Sequence, residues 1–349
     1  MSQEETLTQP AHDAPDDAPS RRQTSRWSPN IRQSGPVLFL VLLVILFGAT
    51  TERFLLPSNI RSVFFTAAIL VVATMAQAGV VITRNLDLSV GSIMAAASYI
   101  PLLLYSTRQG SGWWVVPAVL AIGAVLGACN GLIVSYVRIP SIIATLGTLS
   151  IFRGLVYAAG GGEEVNVGEV PRWLPMFVSW RPFGVPAIVV VALLVAAGMG
   201  LVLRRTQFGR TLYAVGSNPD AASFYGLPAQ RTVLKIYVVA GALAGLAGLL
   251  LAGRVGTLTV DIANGWELQT LAAAVIGGAS LLGGAGTAFG AAIGALIIAT
   301  IDNGLVQMGI SGYWQIFVQG CAIVAAVGFD VLLRRQTARR LGRVGQEAA

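Results

Sequence analysis

The stretch SVFFTAAILVVATMAQAGVVIT, residues Ser62–Thr83, decides the class of fold. Its 22 residues carry no charged side chain, and most of them are apolar. About 20 such residues are enough for one α-helix to cross the roughly 30 Å hydrocarbon core of a bilayer. This stretch therefore predicts a transmembrane helix.

Similar apolar runs continue along the chain on both sides of this stretch. The ten candidate spans are Pro36–Thr50, Ser62–Thr83, Val90–Tyr105, Trp113–Tyr136, Ile139–Ala159, Phe183–Leu203, Lys235–Ala252, Leu268–Leu282, Ala285–Val306 and Tyr313–Leu333. Leu268–Leu282 is short enough for a half-span or a re-entrant segment, so eight to ten spans are expected. The sequence thus predicts an all-α polytopic membrane protein with about ten transmembrane helices.

Polar regions divide the chain into three parts. Pro, Asp, Gln and Ser recur within residues 1–35, and this polar composition predicts a disordered cytoplasmic tail. Residues 36–333 form the predicted membrane domain, with a long cytoplasmic loop at 204–234. Residues 334–349 form a basic cytoplasmic tail, so we expect one membrane domain between two polar tails.

The composition excludes several classes of function. Among 349 residues, 55% are hydrophobic and 11% are charged, whereas soluble domains carry about 25% charged residues. A nucleotide-binding loop of the G-x-x-x-x-G-K-[ST] type needs its lysine, but the single lysine, Lys235, precedes Ile236. The one histidine, His12, lies in the polar tail, and Cys129 and Cys321 lie in apolar runs. We therefore expect no ATP hydrolysis, no metal site and no cofactor in this chain.

The placement of basic residues predicts the orientation of the spans. With the N-terminus in the cytoplasm, 16 basic residues fall on the cytoplasmic side and 6 on the opposite side. This bias fits the positive-inside rule, and an even number of spans then places both termini in the cytoplasm. The net charge of +7 reflects this topology and contact with anionic membrane lipid rather than nucleic-acid binding.

Glycines recur four residues apart in two runs, Gly123–Gly127–Gly131 and Gly286–Gly290–Gly294. Helices in lipid associate through close backbone contact at such small residues. The glycines of GGASLLGGAGTAFG follow no strand, so a turn with helix packing is favoured over a nucleotide-binding loop.

Polar residues between and within the spans permit two interpretations. In the loop TRNLDLSVGS, residues 83–92, Asp87 or Ser89 is able to cap the helix that follows. Alternatively, this loop lines the cytoplasmic end of a translocation path, together with neutral polar residues of a later span. The predicted path residues are Asn85, Asp87, Ser89, Ser92, Asn303 and Gln307. For Asn303 and Gln307, hydrogen bonding between helices is the competing explanation.

Two charged residues, Arg153 and Asp302, lie inside predicted spans. Charged groups at such depth are costly and suggest function. Counted at about 1.5 Å per residue, both lie roughly 21–26 Å from the cytoplasmic ends of their helices. We predict an Arg153–Asp302 ion pair; the alternative is that each side chain reaches the outer interface separately.

The segment Arg204–Arg231 interrupts the apolar pattern with five predicted helix breakers: Gly209, Gly216, Pro219, Gly226 and Pro228. They surround a short predicted helix, Pro219–Tyr225, for which Asn218 is a suitable N-cap. A short surface helix flanked by arginines suits the docking of a soluble partner. An ordinary loop between spans is the alternative.

The chain resembles permease subunits of the monosaccharide (ribose-type) branch of ABC importers from about Asn59 to Asp330. The motifs that carry this resemblance are LDLSVGS at Leu86–Ser92, IPSIIATLGTLSIFRG at Ile139–Gly154, FGRTLYAVGSNPDAA at Phe208–Ala222, WELQTLAAAVIGGASLLGGAGTAFGAAIGA at Trp266–Ala295, and DNGL at Asp302–Leu305. Many ribose-type members carry Gly-Gly-Ile where this chain has Arg84, Asn85 and Leu86, a variant more similar to the rhamnose and autoinducer-2 arms.

The resemblance implies a non-catalytic inner-membrane subunit that passes a sugar by alternating access. It implies three partners: a tandem-domain ABC ATPase, a periplasmic sugar-binding protein and a second permease copy or paralogue. It also implies ATPase coupling through the loop 208–226, at Phe208, Gly209, Arg210, Gly216, Asn218, Pro219, Ala221, Ala222 and Gly226. A branched-chain amino-acid ABC permease and a stand-alone secondary transporter or channel are the alternatives.

Overall fold

The computed structural model describes residues 29–108, 110–161 and 163–318, together with residues 320, 321, 324 and 328. Twelve α-helices follow one another in this part of the chain: α1 (Pro29–Thr50), α2 (Pro57–Ile82), α3 (Val90–Arg108), α4 (Val115–Leu132), α5 (Ser141–Gly160), α6 (Trp173–Ser179), α7 (Ala187–Arg205), α8 (Gln207–Ser217), α9 (Pro219–Phe224), α10 (Ala229–Val255), α11 (Trp266–Ile276) and α12 (Ala288–Gln307). A π-helical turn, Ile133–Val137, extends α4. Among these residues the β-structure is one antiparallel bridge, between Val165 and Leu258, so the all-α prediction is confirmed.

Seven helices of the described chain are long and apolar enough to cross a membrane: α2, α3, α4 with its π-helical turn, α5, α7, α10 and α12. They coincide with seven of the ten predicted spans. Helix α1 holds a shorter apolar stretch, Ser34–Thr50, and begins at Pro29. Residues 29–35, which we expected in the polar tail, are therefore helical, while residues 1–28 and the basic tail 334–349 lie outside the described residues.

The predicted span Leu268–Leu282 contains only a short helix in the structure, as expected for a half-span or a re-entrant segment. Helix α11 has 11 residues, or about 16 Å at 1.5 Å per residue, which is roughly half the hydrocarbon thickness. It ends at Gly277 and Gly278, and Gly278 adopts a left-handed backbone (φ 90°) that favours glycine. Of the last predicted span, Tyr313–Leu333, residues 313–318 are helical, and most of the remainder lies outside the described residues.

Helix α2 occupies the centre of the domain. Every residue from Ala67 to Ile82 is buried, because α7, α10, α11 and α12 all pack against this helix. An apolar helix surrounded on all sides belongs to the core of a large bundle. The stretch that predicts a membrane span is therefore also the stretch around which the other helices assemble.

Glycines bring the helix backbones together, as predicted. A Cβ atom at Gly123 would collide with the Gly241 carbonyl, and one at Gly127 would collide with the Tyr237 carbonyl, so α4 and α10 depend on these glycines. A Cβ at Gly294 would likewise meet the backbone at the end of α11. Small residues thus carry helix association in this fold.

Candidate translocation and coupling sites

The Asp87 side chain stabilises the loop between α2 and α3. Its Oδ1 accepts hydrogen bonds from the Ser89 backbone N–H (2.9 Å) and the Ser89 hydroxyl (2.6 Å). The Ser89 carbonyl in turn accepts bonds from Ile93 N and Ser92 Oγ in the first turn of α3. Asp87 therefore stabilises the turn that leads into α3, but its carboxylate accepts from the N–H of Ser89, which precedes the helix, and not from an N–H of α3 itself. Asp87, Ser89 and Ser92 are buried, at most 1% exposed.

Asn130 of α4 completes this buried polar cluster. Its Nδ2 donates to Ser89 Oγ at 2.7 Å and approaches Asp87 Oδ1 at 3.4 Å. Asp87 Oδ2 and Asn130 Oδ1 have no hydrogen-bond partner among the described residues. Asn130 lies in the predicted span Trp113–Tyr136, and the sequence alone does not connect it to Asp87, because the two residues are 43 positions apart.

Side chains from two further helices satisfy the backbone of the same loop. Tyr237 Oη of α10 donates to the Leu86 carbonyl (2.9 Å), and Leu86 N donates to Ser141 Oγ of α5 (3.1 Å). Leu88 N donates to Thr145 Oγ1 (3.1 Å). Non-helical backbone inside a bundle needs such partners. The loop 83–89 is therefore a junction where α2, α3, α4, α5 and α10 meet.

Asn303 and Gln307 lie at the opposite end of α2. Asn59 Nδ2 donates to Asn303 Oδ1 (2.8 Å), and Asn59 Oδ1 accepts bonds from Asn303 Nδ2 (2.9 Å) and Gln307 Nε2 (2.7 Å). Asn59 is separated from Ile82 by roughly 34 Å along α2, at 1.5 Å per residue. The structure does not bring Asn303 and Gln307 to the loop 83–89, and their hydrogen bonds between helices match the competing explanation.

Arg153 binds the segment that precedes α11. Its Nη1 donates to the Val260 and Ile262 carbonyls, both at 2.9 Å. Within the described residues, these carbonyls rather than Asp302 are the hydrogen-bond partners of Arg153. Helix α5 packs against α3 and α4, whereas Asp302 belongs to α12, which packs against α1, α2, α7 and α11. The predicted Arg153–Asp302 pair is therefore not formed in this structure.

The segment 256–265, which Arg153 binds, is non-helical and lies between α10 and the half-length α11. Leu258 exchanges backbone hydrogen bonds with Val165 (3.0 and 2.9 Å). Three residues later, Asp261 Oδ1 accepts a 2.6 Å hydrogen bond from Tyr157 Oη of α5. Sequence reasoning missed Tyr157 and Asp261; the available signal was the pair of polar residues Asp261 and Asn264 between two apolar runs.

Two short helices, α8 and α9, follow α7. Thr206 Oγ1 caps α8 by accepting from Gly209 N (3.0 Å), and Asn218 Oδ1 caps α9 by accepting from Ala221 N (3.0 Å). Helix α9 begins at Pro219, so the predicted capped helix is confirmed apart from its last residue. The prediction that Gly209 and Gly216 break helices is wrong: both lie inside α8.

Gly209 and Gly216 are needed for close packing rather than for a break. A Cβ at Gly209 would collide with the Val202 and Leu203 carbonyls of α7, and a Cβ at Gly216 would collide with the Ile82 carbonyl. Ile82 O also accepts a 2.9 Å hydrogen bond from Gly284 N in the turn before α12. Helix α8 is therefore seated directly on the end of α2 that leads into the loop 83–89.

Tyr213 adds a second attachment of α8, because its hydroxyl donates to the Gly286 carbonyl at 2.7 Å. Burial raises the pKa of Tyr213 above its ordinary value, so the phenol remains a hydrogen-bond donor. Leu212 and Val215 of α8 are also buried. These contacts join α8 to both α2 and the turn before α12.

The far side of α9 presents two adjacent aromatic side chains to its surroundings. Phe224 is 88% exposed and Tyr225 is 81% exposed, and their ring centroids lie 5.9 Å apart in an edge-to-face arrangement. Large exposed aromatic residues are typical anchors of protein interfaces. Neither residue was among the predicted coupling residues, which stop short of them at Ala222 and resume at Gly226.

A cavity of about 450 Å³ lies away from these groups, where the first turns of α2 face α6 and the end of α10. Arg254 lines it, donates to Ser62 Oγ at 3.2 Å and lies 5.4 Å from the Phe65 ring centroid. These contacts tie α10 to α2. None of the predicted path residues lines this cavity.

The long apolar helices indicate a polytopic membrane protein. A family model described as "Branched-chain amino acid transport system / permease component" matches residues 59–327. The chain belongs to this family, and it is a permease subunit of an ABC importer, a multi-pass protein of the inner membrane.

Curated relatives of similar length support the same assignment. The chain is 33% identical over 314 residues to the autoinducer 2 import system permease protein LsrC of Escherichia coli O9:H4 strain HS, with 90% of this chain and 91% of the relative covered. It is 33% identical over 317 residues to the protein of the same name from Salmonella typhi, with 90% of each chain covered. No solved structure matches the chain. The family description names branched-chain amino acids as the solute, whereas the names of these relatives specify autoinducer 2.

Proposed function

We propose that this chain is the non-catalytic subunit that passes a small polyhydroxylated solute, of the monosaccharide or autoinducer-2 type, while a partner ATPase hydrolyses ATP. The observation that carries the proposal is the exposed Phe224–Tyr225 pair on α9, next to a helix seated on the end of α2. An exposed aromatic pair suits a protein partner, and its connection to the core suits the transfer of movement.

The proposed topology has ten crossings with both termini in the cytoplasm. Eight helices cross fully, namely α1, α2, α3, α4, α5, α7, α10 and α12. The non-helical segment 256–265 and the half-length helix α11 together make the ninth crossing, and the span predicted at Tyr313–Leu333 makes the tenth. Arg204, Arg205, Arg210 and Arg231 are exposed around α8 and α9. The positive-inside rule then places these helices in the cytoplasm, where an ATPase is available.

The proposed coupling residues are Phe208, Gly209, Arg210, Gly216, Asn218, Pro219, Ala221, Ala222 and Gly226, to which the structure leads us to add Phe224 and Tyr225. When ATP binding closes the tandem-domain ABC ATPase, α9 moves with it and α8 transmits the movement to Ile82. The loop 83–89 follows Ile82 and is bonded to α4, α5 and α10. A displacement at Ile82 therefore reaches these three helices and α3, which follows the loop in the chain.

The proposed translocation path passes the loop 83–89 near its cytoplasmic end. Asn85 is half-buried there, while Asp87, Ser89 and Ser92 lie in the buried cluster behind it. Neutral and acidic hydrogen-bonding groups of this kind suit hydroxyl groups of a polyol. On this proposal, the cluster becomes accessible only when α8 moves the end of α2.

The name of the relatives favours autoinducer-2 or a monosaccharide as solute, and the description of the family favours a branched-chain amino acid. An amino acid carries a carboxylate that needs a cation in the path. Arg153 is already bonded to the Val260 and Ile262 carbonyls, and none of the proposed path residues is a cation, so these residues suit a polyol better. A stand-alone secondary transporter has no use for the α9 docking surface.

The proposed assembly contains two further partners. A periplasmic sugar-binding protein delivers the solute at the outer face, and a second copy of the permease or a paralogue completes the path. The exposed face of α5, which includes Gly147 and Gly154 with open space beyond them, suits contact across such a path. Membrane lipid covers the remaining apolar surface.

Reconstitution with the partner ATPase and binding protein tests the docking role of α9. We expect Phe224→Ala with Tyr225→Ala to abolish co-purification of the ATPase and to lower solute uptake at least tenfold, because interface anchors commonly contribute 2 kcal/mol or more each. The matched control is Trp180→Ala, a 61% exposed aromatic residue on the opposite side of the proposed topology. It should leave ATPase binding unchanged. ATPase binding and uptake at wild-type levels in the double variant would refute the docking role.

A further inference from the structure

Tyr157 and Asp261 form an exposed polar pair on the face of α5 that the proposed assembly turns towards the path. The Tyr157 hydroxyl donates to Asp261 Oδ1 at 2.6 Å, yet Tyr157 remains 45% exposed and Asp261 is also exposed. A carboxylate offers about four acceptor positions. Tyr157 uses one of them, so the pair retains capacity for further hydrogen bonds.

The depth of this pair follows from its place on α5. Tyr157 lies 16 residues after Ser141, the first residue of the helix, which is about 24 Å at 1.5 Å per residue. This places the pair in the outer third of a hydrocarbon core roughly 30 Å thick. An exposed carboxylate at that depth is costly against lipid and marks a solute pathway or a protein contact.

Several small or polar residues lie on the same face of α5 as Tyr157. Gly147, Ser150, Gly154 and Tyr157 recur at helical spacing on one side and are all exposed. A Cβ atom at Gly147 or Gly154 would meet nothing within 4 Å. The two glycines therefore leave open space beside the pair, between exposed apolar side chains such as Ile143 and Ile151.

Arg153 fixes the backbone on both sides of Asp261 without a hydrogen bond to the Asp261 carboxylate. Its Nη1 is bonded to the carbonyls of Val260 and Ile262, the two neighbours of Asp261 in the chain. Both flanking peptide groups are thereby fixed against α5. Arg153 is a positioning residue in this arrangement, and the Asp261 carboxylate is directed to the exposed side where Tyr157 meets it.

We propose that Asp261 and Tyr157 form a subsite that binds hydroxyl groups of the transported polyol as it enters from the outer side. The carboxylate accepts hydrogen bonds from hydroxyl groups of the solute, and the tyrosine ring covers its apolar C–H surface. This inference rests on the proposed function and adds to it a specific contact with the solute. No covalent step is involved.

Uptake by proteoliposomes that contain the permease, its ATPase and its binding protein tests the subsite. The probes are autoinducer-2, ribose and rhamnose. For whichever of them the wild type transports, we expect Asp261→Asn to slow uptake about tenfold and Tyr157→Phe to slow it several-fold, as the loss of hydrogen bonds to a charged group predicts. ATP hydrolysis stimulated by the binding protein should stay within twofold of the wild type, since α8 and α9 are unchanged.

The matched control is Glu164→Gln, which removes an exposed carboxylate from the neighbouring loop and should leave uptake unchanged. Wild-type uptake by Asp261→Asn would overturn the subsite while the proposed function stands. If the wild-type complex transports none of the three probes, the proposed function fails and the subsite with it. If Asp261→Asn does not assemble, Tyr157→Phe decides: slowed uptake with normal ATP hydrolysis supports the subsite, and normal uptake overturns it.

Discussion

Gly216→Ala tests the contact between α8 and the end of α2. A Cβ atom at Gly216 would collide with the Ile82 carbonyl and lie 2.8 Å from Gly284 N and 2.9 Å from Ile82 C. Because these are backbone atoms, no side chain is able to turn aside. Carbon atoms in ordinary contact lie about 3.5–4.0 Å apart, so α8 must move by on the order of 1 Å.

Two effects of this substitution oppose each other. Alanine favours a helix by about 1 kcal/mol over glycine, which stabilises α8. Overpacking of a tight contact costs about 1–3 kcal/mol, which destabilises the seat of α8 on α2. The matched control Gly198→Ala, in α7, contains only the first effect, because a Cβ there meets nothing within 4 Å. The difference between the two variants therefore isolates the cost of the clash.

The assay combines thermal unfolding of the purified permease with solute uptake and ATP hydrolysis in proteoliposomes. We expect Gly216→Ala to unfold at a lower temperature than Gly198→Ala and to transport several-fold less solute per ATP hydrolysed. ATPase co-purification should persist, since Phe224 and Tyr225 are unchanged. If both variants share one unfolding temperature and one ratio of solute to ATP, α8 does not transmit movement through Ile82.

Two further predictions concern the polar contacts between helices. Asn59→Leu removes the hydrogen bonds to Phe54, Asn303 and Gln307. Each such bond in a membrane contributes about 0.6 kcal/mol, so the free energy of unfolding should fall by about 2 kcal/mol. A denaturant titration that shows no fall would contradict this role. Arg153→Gln removes both bonds to the segment 256–265, worth about 2 kcal/mol or more together. Arg153→Gln should slow uptake while ATP hydrolysis is preserved. Partial recovery of uptake in Arg153→Lys would show that the charge contributes as well as the packing. Equal uptake by the wild type and both variants would contradict a positioning role.

Sequence patterns predicted the long helices well, because a membrane span is a local property. Some 20 apolar residues in a row satisfy the bilayer wherever they occur in the chain. The capped helix at Asn218 and Pro219 was equally accessible, since a cap and its helix are neighbours in sequence. The short helix within Leu268–Leu282 was also expected from the length of the apolar run alone.

Errors arose where a residue's role depends on a distant partner. Gly209 and Gly216 read as helix breakers because glycine has low helix propensity; their role is to admit the carbonyls of Val202, Leu203 and Ile82. Arg153 and Asp302 matched in depth, but depth along a helix does not determine which helices are neighbours. In the fold, Arg153 instead meets carbonyls more than 100 residues further along the chain.

The sequence by itself determined that this protein is an all-helical membrane permease, because hydrophobicity, charge bias and family motifs are written along the chain. The tertiary structure alone decided which polar residues act together. It joined Asn130 to Asp87, placed Asn303 and Gln307 at the other end of α2, and brought Tyr157 to Asp261. The physical reason is that hydrogen bonds and close backbone contacts act over about 3 Å, so they depend on how helices are arranged around α2.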